Sequence, residues 1–206
     1  MARYRGPRVK ICRALNTVIP GLTSKPIKRK YPPGVHGLAR RPRPSDYKIR
    51  LQEKQKLRYH YGVLEKQFKR YVREAARRKG PTGSNLISML ESRLDNIIYR
   101  IGLAPSLPAA RQMVVHGHIT LDGHRVDRPS YNVNVGQVIG LHQRTKRRCA
   151  QFLEERSDLA SRRQRPSYLE FNEEKLEAKL VVLPRGEDIP FEVNTQLVVE
   201  FYSQQM

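Results

Sequence analysis

Between residues 45 and 102 apolar side chains recur at helical intervals. A helix is predicted to start at Ser45, a good N-cap, with Asp46 in its first turn and Gly62 as its stop. Tyr47, Leu51 and Leu57 can face a core, while Lys48, Arg50, Lys54, Lys56 and Arg58 occupy the remainder, interrupted only by Glu53. Next, Leu64, Phe68, Tyr71, Val72 and Ala75 have the spacing of a helix that buries one stripe, ended by Gly80 and Pro81. A third helix is predicted from a Ser84 cap to Gly102, with Leu86, Leu90, Leu94, Ile97, Ile98 and Ile101 on one side. Three such helices can make a small bundle.

After Pro105 the period changes. Ser106 caps a short helix stopped at Gly117, and residues 118–127 then alternate around Asp122-Gly123, a strong signal for a two-residue hairpin. Residues 131–141 read as strand, turn and strand. Residues 144–165 form a basic segment of helical character. Further strands are predicted at "SYLEF" and "AKLVVLP", whereas residues 194–203 fit either a helix capped by Asn194 or a final strand. Residues 1–44 hold many Pro and Gly without sustained periodicity, and in isolation most of this stretch is expected to be disordered or irregular.

Charge turns this outline into a functional reading. The 206 residues carry 40 Lys plus Arg against 19 Asp plus Glu, a net +21. Residues 1–80 hold 24 basic and 4 acidic side chains, whereas residues 81–206 hold 16 and 15. A merely soluble surface intersperses both signs, so this imbalance points to a polyanion. Trp is absent and the first forty residues lack a helical moment, which argues for nucleic acid over a membrane surface. No apolar run long enough for a membrane span, and no secretory leader, is expected. Cys12 and Cys149 are too few for a thiolate zinc site and read as small apolar side chains in a reducing compartment. Arg, Lys and Tyr interleave along residues 1–44, as in arms that thread between nucleic-acid helices. The single-sign face of the helix after Ser45 is expected to meet phosphates.

His116, His118 and His124 fall within nine positions and raise the question of zinc. Strand alternation answers it. With Asp122-Gly123 as the turn, Leu121 lies opposite His124, Thr120 opposite Arg125 and Ile119 opposite Val126. His118 and His124 then point to opposite sides of the sheet, and one tetrahedral ion cannot collect both. The histidines read as polar hairpin side chains or as contacts to phosphate or base; an acid/base role is the remaining alternative, for which no partner carboxylate is placed.

The stretches "ESRLDNIIYRIG" and "SLPAARQMVVHGHITLDGHRVDRPSYNVNVGQVI" resemble the small RNA-binding domain named after the fourth protein of the small ribosomal subunit. "MARYRGPR", "YPPGVHG", "RPSDYKIRLQEKQKLRYHYG", "KGPTGSNLISMLESRLDN" and "VNTQLVVEFYS" resemble that ribosomal protein family itself, and "YRGPR", "IPGLTSK" and "LRYHYG" its cyanobacterial and plastid members. The resemblance implies an α+β fold and a primary binder of the 5′ domain of small-subunit ribosomal RNA, at a multi-helix junction, early in assembly. It also implies a place beside the third and fifth small-subunit proteins at the messenger entry side, an influence on decoding accuracy and, in some bacteria, autoregulation. Location is on the ribosome, in cytoplasm or plastid stroma, with messenger RNA as a further partner and no membrane.

Many relatives carry an N-terminal knuckle of four zinc-binding cysteines. Only Cys12 matches one of those positions, so no metal or other cofactor is expected and the arm must fold on RNA instead. Carried over by motif, RNA contacts fall on Arg3, Tyr4, Arg5 and Arg8, on Tyr47, Arg50, Lys54, Lys56 and Arg58, and on Arg93, Arg111, His116, His118 and Arg125. The expected organisation is an arm over 1–44, a helical domain over 45–91 joined by 194–206, and the RNA-binding module with its extension over 92–193.

Two rivals define what must be excluded. "RLD" at 93–95 resembles a pseudouridine synthase signature, but too little chain follows for that catalytic domain, so no enzymatic activity is expected. A free RNA chaperone built on the same module would need neither the basic arm nor the helical domain.

Overall fold

The computed structural model describes residues 4, 6–23, 25–39, 43–143, 145 and 165–204. Arg3, Arg5, Cys149 and nearly all of the basic 144–165 segment lie outside the described residues. The fold is α+β, and the chain divides into two compact units, Met1–Leu86 with Ile189–Met206, and Ile87–Asp188. Among the described residues there are seven α-helices and one five-stranded sheet.

The first unit begins with a helix that periodicity did not predict, α1 (Arg8–Leu15). Ile11, Cys12 and Leu15 lie on one side and join Ile19 in a small buried cluster, against which Leu22, Ile27 and Tyr59 pack. Asn16 closes the helix with φ +51°, its N–H and that of Thr17 returning to the carbonyls of Arg13 and Cys12. Part of the amino-terminal stretch is thus helical. Two helical turns are too short to register as a period, and they are held by packing.

Helix α2 (Asp46–His60) starts as expected, the Ser45 side chain accepting from the Lys48 N–H. Helix α3 (Glu65–Arg77) buries Phe68, Tyr71, Val72 and Ala75. The open choice at the carboxyl end resolves as helix α7 (Thr195–Ser203), with Asn194 Oδ1 accepting from Gln196 and Leu197. It packs on α2, Phe201 against Tyr47 with ring centroids 5.6 Å apart.

The predicted 84–102 helix is two: α4 (Thr82–Glu91) and α5 (Leu94–Arg100). Arg93 between them is extended, with ψ 137°. Residues 129–133 cross here: Leu94 N–H donates to Tyr131 O, Asp95 N–H to Pro129 O and Val133 N–H to Ser92 O. The same crossing explains why residues 131–135 make an isolated bridge, Asn132 to Arg93, instead of the predicted strand. Local propensity favoured one continuous helix, and backbone hydrogen bonding to a distant segment divides it.

In the second unit, helix α6 (Leu107–Val115) has the Ser106 side chain accepting from Ala109 N–H and stops before Gly117. The sheet contains β1 (Ile119–Leu121), β2 (His124–Val126), β3 (Val138–Leu141), β4 (Leu169–Asn172) and β5 (Glu177–Leu180) in the order β2-β1-β3-β5-β4, all antiparallel. The hairpin pairs Leu121 with His124, Thr120 with Arg125 and Ile119 with Val126, the register expected from the sequence. Ile119, Leu121, Ile139 and Leu141 meet Ile97, Ile98, Ala110 and Val114 in the core.

Candidate nucleic-acid interface

In the first unit, most cations expected to meet RNA are held by the protein. Lys54 is 4% exposed. Its ammonium donates to both Glu65 oxygens at 2.9 and 3.0 Å and lies 4.9 Å from the centre of the Phe201 ring. Arg50 pairs with Glu200 at 3.0 Å, Lys56 with Glu53, and Arg58 donates to Gln55 while sitting over the Tyr59 ring. Lys54 is therefore removed from the candidate surface, and Arg50, Lys56 and Arg58 are largely committed. For Arg50 and Lys54 the physical reason is non-local, because Glu200, Phe201 and Tyr202 arrive on α7 and Glu65 on α3, a counter-surface that the period of α2 cannot reveal. Lys56 and Arg58 are also held within α2, by Glu53 and Gln55 three positions away.

Glu65 is the centre of this arrangement. Burial alone would raise its carboxyl, but hydrogen bonds from Tyr202 and Lys54, with the charges of Lys54 and Arg58, hold it below the usual value. Tyr202 donates its phenol proton to Glu65 at 2.6 Å, and burial followed by that bond pushes its ionisation well above the ordinary tyrosine range.

Residues near the amino end also have internal duties. Arg8 donates to Leu22 O at 3.4 Å, and Tyr4 meets the Tyr59 ring edge-on at 5.5 Å. Arg13 donates to the carbonyls of Tyr31 and Pro32 and lies over the Tyr31 ring, tying the "YPPG" loop to α1.

The charged surface that sequence reasoning passed over is the outer side of α3. Lys66, Arg70, Arg73 and Arg77 are exposed and Lys69 is half-buried. Among the described residues none of the five has an acidic side chain within ion-pair distance: of the two acids of α3, Glu65 is paired with Lys54 and Glu74 lies 3.9 Å from Arg78. The signal was present, because the same periodicity that identified the buried stripe assigns these five cations to the opposite side.

In the second unit the structure separates two groups. Arg93 is fully buried and pairs with Asp95 through two hydrogen bonds, of 3.0 and 2.6 Å. Arg111 approaches the same carboxylate at 3.5 Å. Arg93 is a correction: it cannot reach an RNA backbone because the crossing at 129–133 encloses it. The same enclosure makes the "RLD" triplet a structural ion pair.

His116, His118 and Arg125 do come together. Gly117, with φ +70°, turns the chain from α6 into β1, and a Cβ there would collide with the Arg125 guanidinium. Arg125 donates to His116 O at 3.5 Å, the two imidazoles stack 6.0 Å apart, and His118 Nδ1 lies 3.0 Å from Thr145 Oγ1. His116 and Arg125 are exposed. One guanidinium and two imidazoles on one surface can receive phosphate oxygens or stack on a base. Among the described residues no group of His, Cys, Asp or Glu has metal-binding geometry, and Cys12 is sealed in the α1 cluster.

Comparison with known proteins assigns these two surfaces to two domains. Residues 3–91 match the Ribosomal protein S4/S9 N-terminal domain, and residues 92–139 match the S4 domain. The small ribosomal subunit protein uS4 of Synechococcus elongatus is 49% identical over 207 residues, covering 100% of both chains. The chain belongs to the uS4 family. The uS4 proteins of Nostoc punctiforme and of a Cyanothece strain are each 48% identical, again over 100% of both chains. The chain is thus a bacterial-type ribosomal protein with RNA-binding domains, and its relatives are named as ribosomal proteins, not as enzymes.

Proposed function

We propose that this chain binds small-subunit ribosomal RNA directly, at a multi-helix junction of the 5′ domain, and nucleates assembly there. In the finished subunit it would stand at the messenger entry side, beside the third and fifth small-subunit proteins, and influence decoding accuracy. Its location would be the ribosome of a bacterial cytoplasm or of a plastid stroma.

The observation that carries this reading is the end-to-end similarity to uS4 proteins, through both matched domains. The geometry supports it with the group on the second unit formed by the exposed His116 and Arg125 and the half-buried His118. Within the first unit, Tyr47, at 55% exposure, retains access to a ligand, and Arg3 and Arg5 remain proposed contacts outside the described residues. Footprinting on isolated small-subunit RNA tests the proposal: protections are expected to cluster around one junction in the 5′ domain. Protections absent, or scattered through the other domains, would overturn it.

A further inference from the structure

We infer that the outer side of α3 binds the sugar-phosphate backbone of a double-helical RNA segment, independently of its base sequence. This rests on the reading that the chain binds ribosomal RNA.

At about 100° per residue, Lys66, Lys69, Arg70, Arg73 and Arg77 fall within an arc of about 100°. Phe68, Tyr71, Val72 and Ala75 fill the opposite side and are buried, so α3 is fixed by packing on one side and presents cations on the other. From Lys66 to Arg77 the row runs about 16 Å along the axis. On α2, by contrast, Arg50, Lys54, Lys56 and Arg58 are paired with carboxylates. Like-charged neighbours at i, i+3 and i, i+4 destabilise an isolated helix, and a polyanion relieves that repulsion.

The chemistry of the row also selects the form of RNA. Single strands are held by aromatic side chains on which bases stack. The two aromatic residues of α3, Phe68 and Tyr71, both point inward, so the cationic side offers no stacking platform. Lys and Arg reaching from a rigid helix make contacts to phosphate that carry no sequence information. A duplex, whose bases are already stacked and whose phosphates lie at fixed spacing, fits this surface.

The test uses the full chain, small-subunit RNA as ligand, and three competitors: a mixed-sequence RNA duplex, a single strand of the same length, and polyglutamate. K66Q/R70Q/R73Q/R77Q neutralises four exposed cations while keeping good helix formers. If each touches one phosphate, the slope of log affinity against log salt becomes shallower by about three to four. Binding at 0.1 M salt should weaken by more than about tenfold. R70K/R73K/R77K, which keeps the charge, should retain the slope, and K175Q/K179Q/R185Q, remote in sequence, should alter it by less than about one. The duplex should compete better than the single strand or polyglutamate. Circular dichroism and thermal midpoints establish that each variant is folded. An unchanged slope in the quadruple variant, an equal loss in the K175Q/K179Q/R185Q control, or equal competition by single strand or polyglutamate would overturn the inference. If the unmodified chain fails to bind ribosomal RNA at all, the broader functional proposal falls instead.

Discussion

Lys54 carries its charge into the packing of α2, α3 and α7, where it meets the Glu65 carboxylate and the Phe201 and Tyr202 rings. Removing one partner of a buried pair leaves the other uncompensated, which costs about 3–5 kcal/mol when both are enclosed. Glu65 is partly exposed, so Lys54→Ala should cost about 2–3 kcal/mol in urea unfolding, while the salt slope of RNA binding stays unchanged. A lost slope with stability intact would return Lys54 to the RNA surface. The same node sets a pH dependence. Because folding lowers the Glu65 carboxyl, its stabilisation is present above the ordinary value of 4.5 and is lost as pH falls through the folded value. Tyr202 works at the other end: folding raises its phenol, so stability falls as pH rises above the ordinary value of 10. Urea midpoints from pH 6 down to 3 should fall less steeply in Glu65→Gln, and from pH 9 up to 11 less steeply in Tyr202→Phe.

The hairpin illustrates what an element imposes on its neighbours. Asp122 and Gly123 both adopt left-handed backbone, with φ of 48° and 81°. The Asp122 carboxylate accepts from Val138 N–H and Gln137, which fastens the β1–β2 turn to β3. On the other end of the hairpin, Gly117 leaves the space that the Arg125 guanidinium fills. Gly117→Ala should therefore cost about 1 kcal/mol for its left-handed backbone and displace Arg125, weakening RNA binding beyond any loss of fold. Equal affinity with a shifted melting temperature would leave Arg125 with a structural role alone. Elements whose signals are local were legible in the chain: the Ser45 and Ser106 caps, the inner stripe of α3 and the hairpin register. Elements decided from afar were not. Residues 129–133 divide α4 from α5, and Tyr59 packs on the α1 cluster from α2, and neither influence appears in a local window. Among candidate contacts the same rule holds. His116, His118 and Arg125 lie close together in sequence and meet in space, whereas Lys54 and Arg93 are enclosed by segments that no spacing announces.

At the scale of the whole molecule, the surplus charge is not equivalent to a binding surface. The first eighty residues carry twenty more cations than acids, yet several are bound by carboxylates and carbonyls of the same unit. Neutralising six to eight phosphates would give the intact chain a slope of about −5 to −7 in log affinity against log salt. Binding measured between 50 and 300 mM KCl checks this, and a slope shallower than about −2 would mean that shape and non-ionic contacts dominate.

The pairing of Arg50 with Glu200 spans 150 positions, and that of Glu65 with Tyr202 spans 137. At about 5–20 residues per second, a nascent chain waits roughly 8–30 s between making Arg50 and making its acceptor. Throughout that interval the cations of α2 have no α7 to receive them. An emerging polypeptide of this family is at its most basic, and most open to any polyphosphate nearby, before its own final helix exists to quieten it.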